Sequence, residues 1–309
     1  MSRDAFFDDL RSGLEKESRS SHRSTHSRST EPSGDLEESR ANRQIDSERP
    51  QGTQRKPEAF DTPRAHYLGD RACLLRESEL QTLIEVGTFR AVAAIDLASI
   101  SYGGDTRRME REIRRLKEQS FVSEKVLRAD RNHVIRLLAL TKKGARLARS
   151  SGVVPEDQVI YHGFVKPRDA KHDAALYRLY QAQAERIEAA GGRIARVILD
   201  YELKRNLNRE LASLAPEEQS EEVRERIAER HGLSLVNGRI PVPDIRIEYD
   251  STEMERKQVD LELATRNYRP RALAEKAMAG FSLYAFREDA SRLRRILDER
   301  EITGEIFSL

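Results

Sequence analysis

Three carboxylates sit on two short stretches at spacings that could do chemistry. Ile240-Pro-Val-Pro-Asp-Ile-Arg-Ile247 carries Asp244, and Val259-Asp-Leu-Glu-Leu263 carries Asp260 and Glu262. Both stretches read as strands. Alternate side chains on a strand share a face, so Asp260 and Glu262 point the same way, and Asp244 joins them if the strands are neighbours. Two or three carboxylates so placed would hold Mg²⁺ or Mn²⁺, which take oxygen ligands. A metal held there would activate water against a phosphodiester. The plainer reading of the same residues is structural: Asp244 orders the turn after Pro243, while Asp260 and Glu262 pair with Arg246 or Arg266.

A second group binds rather than breaks bonds. In Tyr102-Gly-Gly-Asp-Thr-Arg-Arg-Met-Glu-Arg-Glu-Ile-Arg-Arg-Leu-Lys-Glu-Gln119, Met109, Ile113 and Leu116 fall at i, i+4 and i+7, one apolar stripe of a helix. Asp105 or Thr106 is the expected N-cap. Arg107, Arg111 and Arg114 lie close to the opposite side, with Arg108 and Arg115 nearby. Apolar residues fix such a helix to a core while guanidinium groups reach phosphates and guanine edges. The competing reading is a solvated helix whose arginines pair with Glu110, Glu112 and Glu118.

Other candidates carry less. His172, in Lys171-His-Asp173 at a helix start, reads first as a capping or packing residue, as does His162 in Tyr161-His162-Gly163. The Gly pairs at 103–104 and 191–192 lack the Gly-Lys-Ser/Thr that a phosphate loop requires. No Ser-His-Asp or Cys-His arrangement is supported by spacing.

The elements that must position these residues follow from periodicity. Helical spacing of Leu80, Leu83, Ile84 and Val86 predicts a helix from Glu77 that ends at Gly87, and a second short helix runs from Phe89 to Leu97. Helix, helix, glycine turn, basic helix is helix-turn-helix order. Two apolar runs from Phe121 to Leu140, broken at Arg128-Ala-Asp-Arg-Asn132, predict a hairpin with Arg128 and Arg131 at its tip. Thr141 then caps a helix that begins with Lys142 and Lys143. Beyond Pro155 the pattern predicts a helix over 172–188, a strand over 193–199 and two polar helices split near Pro216. A turn at Asn237-Gly238 follows, then a strand over 240–249, a strand over 258–264, a helix over 270–280, a strand over 281–286 and a helix over 288–299. That is a mixed sheet flanked by helices.

Composition bounds the rest. The chain has 309 residues, 35% of them charged, and a net charge of only +2, so any nucleic-acid surface must be a local patch. A single cysteine, Cys73, rules out an intrachain disulfide and fits a reducing cytoplasm. No run reaches the apolar length of a membrane span, and the N-terminus lacks the apolar core of a signal peptide. Residues 1–65 read as a disordered Ser/Arg-rich tail, in which Ala5-Phe-Phe-Asp-Asp-Leu10 is the one stretch with an amphipathic helical pattern. Residues 66–152 read as the first folded domain and 153–309 as the second.

The order of elements over 70–150 resembles winged helix-turn-helix DNA-binding domains of the MarR type, on the arginine helix, the hairpin and the Leu-Thr-Lys-Lys-Gly exit from it. The carboxylate strands resemble the PD-(D/E)xK nuclease superfamily. Over residues 70 to 290 the chain is similar to the replication-relaxation family of plasmid and mobile-element proteins, with Pro243-Asp244, Glu262, Lys276 and Tyr284 at the matching positions. The chain departs from the nuclease motif at one point. The lysine expected two residues after the acid is Glu262 counted from Asp260 and Ala264 counted from Glu262, so Lys276 or Lys257 would have to substitute.

The expected fold is therefore α+β: a winged helix-turn-helix domain, a mixed α/β nuclease-like domain and a disordered tail. The expected function is cytoplasmic DNA binding in plasmid replication, mobilisation or transcriptional control. Arg107, Arg108, Arg111, Arg114, Arg115, Arg128, Arg131, Lys142 and Lys143 would contact double-stranded DNA, with no resident cofactor. The alternatives are a nuclease using Asp244, Asp260, Glu262 and Lys276 with Mg²⁺ or Mn²⁺, and a protein-interaction module without DNA affinity. Replication or mobilisation proteins are candidate partners. So is a second copy of the chain, since winged helices commonly pair to read two half-sites, although no long heptad run marks a seam.

Overall fold

The computed structural model describes residues 62–130, 133–164, 167–215, 218, 220–302 and 304–309, without the side chains of 129, 130, 133 and 167–171. Arg131 and the tail up to residue 61 lie outside the described residues. Order was expected from Tyr67, but the described chain already forms a hairpin of β1 (Arg64–Leu68) and β2 (Arg71–Leu75). Gly69 turns it at φ +61, a backbone angle that suits glycine.

The next elements are α1 (Glu77–Thr88), β3 (Val92–Ala93), α2 (Ala94–Ile100), α3 (Thr106–Glu118), β4 (Val122–Asp130), β5 (His133–Leu140) and α4 (Lys142–Ser150). The three strands form an antiparallel sheet in the order β3-β5-β4. Two expectations fail in this half. Helix α1 runs through Gly87 to Thr88. Gly87 serves close packing instead of termination, because a Cβ there would lie 2.6 Å from Ile160 and 2.8 Å from Leu140. The second helix starts only at Ala94, because Val92 and Ala93 pair with Leu138 and Leu137 of β5.

The second half is α5 (Pro167–Ala189), β6 (Arg193–Leu199), α6 (Asp200–Ala212), α7 (Glu221–Arg230), β7 (Ile245–Asp250), β8 (Arg256–Leu263), α8 (Pro270–Met278), β9 (Ser282–Ala285), α9 (Arg287–Asp298) and β10 (Ile306–Ser308). The sheet order is β10-β9-β8-β7-β6. Strands β6, β7 and β8 are antiparallel, whereas β8-β9 and β9-β10 are parallel. The fold is thus mixed α and β. The Asn237-Gly238 turn closes only a single bridge, Val236 to Arg239. The strand expected from Ile240 begins at Ile245, since Pro241 and Pro243 have no N–H to give a ladder. Strand β10 was not expected.

Alternation on the strands divides the core. Ile245, Ile247, Leu261, Leu263 and Tyr284 face Leu176 and Leu179 of α5, in one apolar cluster that continues into Leu83, Met109, Ile113 and Leu116. Leu283 and Ala285 face the opposite way, among Leu203, Ile227, Leu273 and Leu293 of α6 to α9. The chain between the two sheets is stitched to both: Gly163 N–H donates to Leu140 O of β5 at 2.8 Å, and Gln158 bonds both the N–H and the carbonyl of Val197 in β6, while Tyr161 N–H donates to Gly87 O of α1 at 2.7 Å. Among the described residues no helix is long and apolar enough to cross a membrane.

Candidate nucleic-acid interface and a buried carboxylate cluster

Helix α3 starts where Gly103 and Gly104, both at positive φ, turn the chain and Asp105 caps it, its carboxylate accepting from Arg108 N–H at 2.9 Å. Met109, Ile113 and Leu116 are at most 1% exposed. Arg107, Arg111 and Arg114 therefore stand outward, exposed, and none of them forms an ion pair with a described residue. Arg108 and Arg115, expected near that face, are engaged within the protein. They flank the buried stripe, so Arg108 Nε lies 3.1 Å from Glu112 and Arg115 Nε lies 2.7 Å from Glu79. The solvated-helix reading is met in part, since Arg108 does pair with Glu112. Glu112 is buried and faces inward, and Glu110 is held by Arg136 of β5.

Arg128 is exposed on the hairpin, beside the exposed Val126 and Val134. Lys142 is exposed at the start of α4. Lys143 is bound at the base of the hairpin, donating to Gln119 O at 2.8 Å with its ammonium 4.5 Å from the Phe121 ring.

The second site lies where β7 and β8 begin and end. The register pairs Ile245 with Leu261, so Asp244, just before β7, stands beside Glu262. Asp244 accepts from Leu263 N–H at 2.9 Å and faces His172 Nε2 at 3.3 Å. Glu262, fully buried, accepts from Lys276 Nζ at 2.9 Å, from Asp244 N–H at 3.2 Å and from the Tyr268 hydroxyl. Lys276 Nζ also donates to Val242 O at 2.6 Å. Lys276 of α8 is thus the lysine that reaches the buried carboxylate, whereas Lys257 pairs with Glu255. Close by, Lys204 holds Asp200 at 2.6 Å.

Burial would raise the Asp244 carboxyl, but the hydrogen bond and charge of His172 outweigh it and hold it below the usual range. Burial and then the Asp244 charge push Glu262 up, to about 7. Burial disfavours the imidazolium of His172, yet Asp244 outweighs that and raises it.

Asp260 does not join the site. It shares the face with Glu262, as its spacing required, but Arg246 Nε and a terminal nitrogen take its two oxygens at 2.7 and 2.8 Å. Tyr284 does not join either. The register places Leu283 beside Glu262 and turns Tyr284 to the other face, where its hydroxyl donates to Gln183 at 2.6 Å. Tyr268 is the tyrosine that reaches Glu262, and no spacing rule would have singled it out because it lies beyond the strand. A divalent cation does not fit this donor set. Every carboxylate oxygen of Asp244 and Glu262 has a donor, two of those donors being Lys276 and His172. Among the described residues no three His, Cys, Asp or Glu side chains converge to hold a metal.

No protein-family model matches the sequence, and a comparison with curated proteins gives no match. Among solved structures, Bacillus subtilis PadR in complex with operator DNA aligns at 14% identity, over 51% of this chain and 91% of that one, with a TM-score of 0.22. That superposition is too loose to carry an argument about fold or function.

Proposed function

We propose that the chain is a DNA-binding protein whose residues from α1 to α4 form a winged helix-turn-helix. The observation that carries this is the outward stripe of Arg107, Arg111 and Arg114, exposed and without a carboxylate partner among the described residues. A helix face that keeps three guanidinium groups unneutralised, backed by a fully buried apolar stripe, is suited to phosphate and guanine contacts. Arg128, exposed on the hairpin, would then contact the flanking backbone. The order helix, strand, two helices, hairpin, with β3 closing the sheet beside β5, supports the winged-helix reading.

The α/β half has the strand order and the helix-borne lysine that accord with a nuclease-like fold, and the donors around Asp244 and Glu262 support a scaffold rather than a phosphodiesterase. The resemblance to replication-relaxation proteins supports work in plasmid or mobile-element replication, mobilisation or transcriptional control. The experiment is duplex DNA binding by the full chain across a salt series, with and without Mg²⁺ or Mn²⁺, on a gel that also reports cleavage. Binding that weakens steeply with salt and leaves the DNA intact is expected. The triple variant Arg107→Ala/Arg111→Ala/Arg114→Ala should bind far more weakly, with a salt slope flatter by about 0.9 for each phosphate it no longer neutralises. Unchanged affinity in that variant would overturn the docking reading, and metal-dependent cleavage abolished by Asp244→Ala would overturn the scaffold reading.

A further inference from the structure

The turn that launches α3 is pinned by side chains from two other helices, α1 and α5, and from α3 itself. Glu85 of α1, 9% exposed, accepts from Ser101 and, at 2.8 Å, from the Tyr177 hydroxyl of α5. Its other oxygen accepts from Gln81 at 3.0 Å. Ser101 and Tyr177 are themselves 2.6 Å apart. The next residue, Tyr102, donates to Glu112 of α3 at 2.9 Å and lies 2.7 Å from the Thr82 hydroxyl of α1. Thr82 and Glu85 are one helical turn apart on α1, so a single helix face holds both residues of the turn. Tyr177 is fully buried, and its ring meets Phe89 edge-on at 5.3 Å.

Glu112 sits beside the buried stripe of α3, opposite the outward arginines. Fixing Glu112 and the turn therefore fixes the roll of the helix about its axis. Roll matters because a turn of about 30° carries a side-chain tip ~6 Å from the axis through about 3 Å, enough to break a bidentate contact. Apolar packing alone tolerates such a slide better than a directional hydrogen bond does. Tyr177 is the member of this set that comes from outside the three-helix unit.

We propose that Tyr177 is a positioning residue for DNA binding: its hydroxyl, through Glu85 and Ser101, locks the turn that sets the roll of the arginine helix. The proposal rests on the DNA-binding reading. It makes α5 the route by which the α/β half governs the arginine face, since the same helix packs on the five-stranded sheet through Leu176 and Leu179.

The test uses the full chain and two readouts, hydrogen exchange at the amides of residues 101–106 and affinity for a duplex at fixed low salt. Tyr177→Phe keeps the ring and removes only the hydroxyl. It should speed exchange at the turn and weaken binding by roughly five- to twentyfold while leaving the salt slope unchanged, because the phosphate contacts are misplaced and not deleted. Tyr102→Phe should act in the same direction, and the double variant should lose less than the product of the two single losses. Ser101→Ala provides the same test should Tyr177→Phe fail to fold. Binding within twofold of the parent with unchanged exchange, or losses that multiply in the double variant, overturns the proposal alone. Absence of DNA binding by the parent chain overturns the DNA-binding reading and the proposal with it.

Discussion

Arg136, on the central strand of the three-stranded sheet, grips both oxygens of Glu110 on the arginine helix, one of them at 2.9 Å. It also lies 3.2 Å from Glu124 of β4, which Lys117 of α3 holds at 2.8 Å. Hairpin and helix are thus laced by four charges. Glu110 stands among Arg107, Arg111 and Arg114, so neutralising it would matter if this face meets phosphate as proposed. Arg136→Ala should weaken DNA binding about three- to fivefold, in the range a half-exposed pair supports. Glu110→Ala should tighten binding by a similar factor, and the double variant should return near the parent. A titration series of the three variants at one salt concentration checks this, and an Arg136→Ala variant that binds like the parent would show that the lacing has no part in binding.

Asp260 and Arg246 form a structural pair. Arg246 is 4% exposed and also donates to His231 O and, at 2.8 Å, to Gly232 O, tying the end of α7 to the sheet. Asp260→Ala leaves that guanidinium buried without its anion and should cost ~3–5 kcal/mol, the usual penalty for breaking a buried pair. Urea unfolding of Asp260→Ala against the parent measures it. A loss under about 1 kcal/mol would show the pair to be dispensable.

His172 and Asp244 make a pH prediction. The folded chain holds the His172 proton more tightly than an ordinary imidazole does. Its contribution to stability is then full below about pH 6.5, the ordinary value, and is lost as pH rises through the folded value. Asp244 is held low, so its contribution is present above about pH 3.9 and is lost as pH falls through its folded value. Proton NMR titration should place His172 above the ordinary value, and Asp244→Asn should bring it down. A His172 that titrates at or below the ordinary value in the parent would refute the pairing.

Gly144, in the first turn of α4, has no room for a methyl group, because a Cβ there would lie 2.1 Å from Phe121 O. That same carbonyl accepts from Thr141 N–H at 2.9 Å, so it cannot retreat without losing the start of the helix. Gly144→Ala should cost ~1–3 kcal/mol, as overpacking does, visible as a lowered Tm. An unshifted Tm would mean that the hairpin exit yields freely.

Legibility in the sequence followed periodicity. The stripe Met109, Ile113, Leu116 located α3 and its outward arginines, and alternation placed Asp260 and Glu262 on one face, as found. Alternation could not tell that Arg246 would take Asp260, because cross-strand partners depend on register. A two-residue strand such as β3 is too short to show a period of two, and its pairing with β5 is decided by tertiary contact. His172, Tyr268 and Lys276 reach the carboxylates from three separate elements, a convergence that local spacing does not encode. The inward turn of Arg108 and Arg115 follows from their place beside the buried stripe, where Glu79 and Glu112 draw them in.

The stitching around residues 151–164 bears on how the protein can be handled and how it can diverge. With Gly87 seated against Ile160, and Phe89 against Tyr177 and Tyr180 at 5.3 and 4.9 Å, the first half borrows part of its interior from the second. A fragment ending near residue 152 would surrender those contacts and present the uncovered side of Phe89 to water. Recombination that swapped one half for that of a distant cousin would carry the same penalty, so the two halves must change together or not at all.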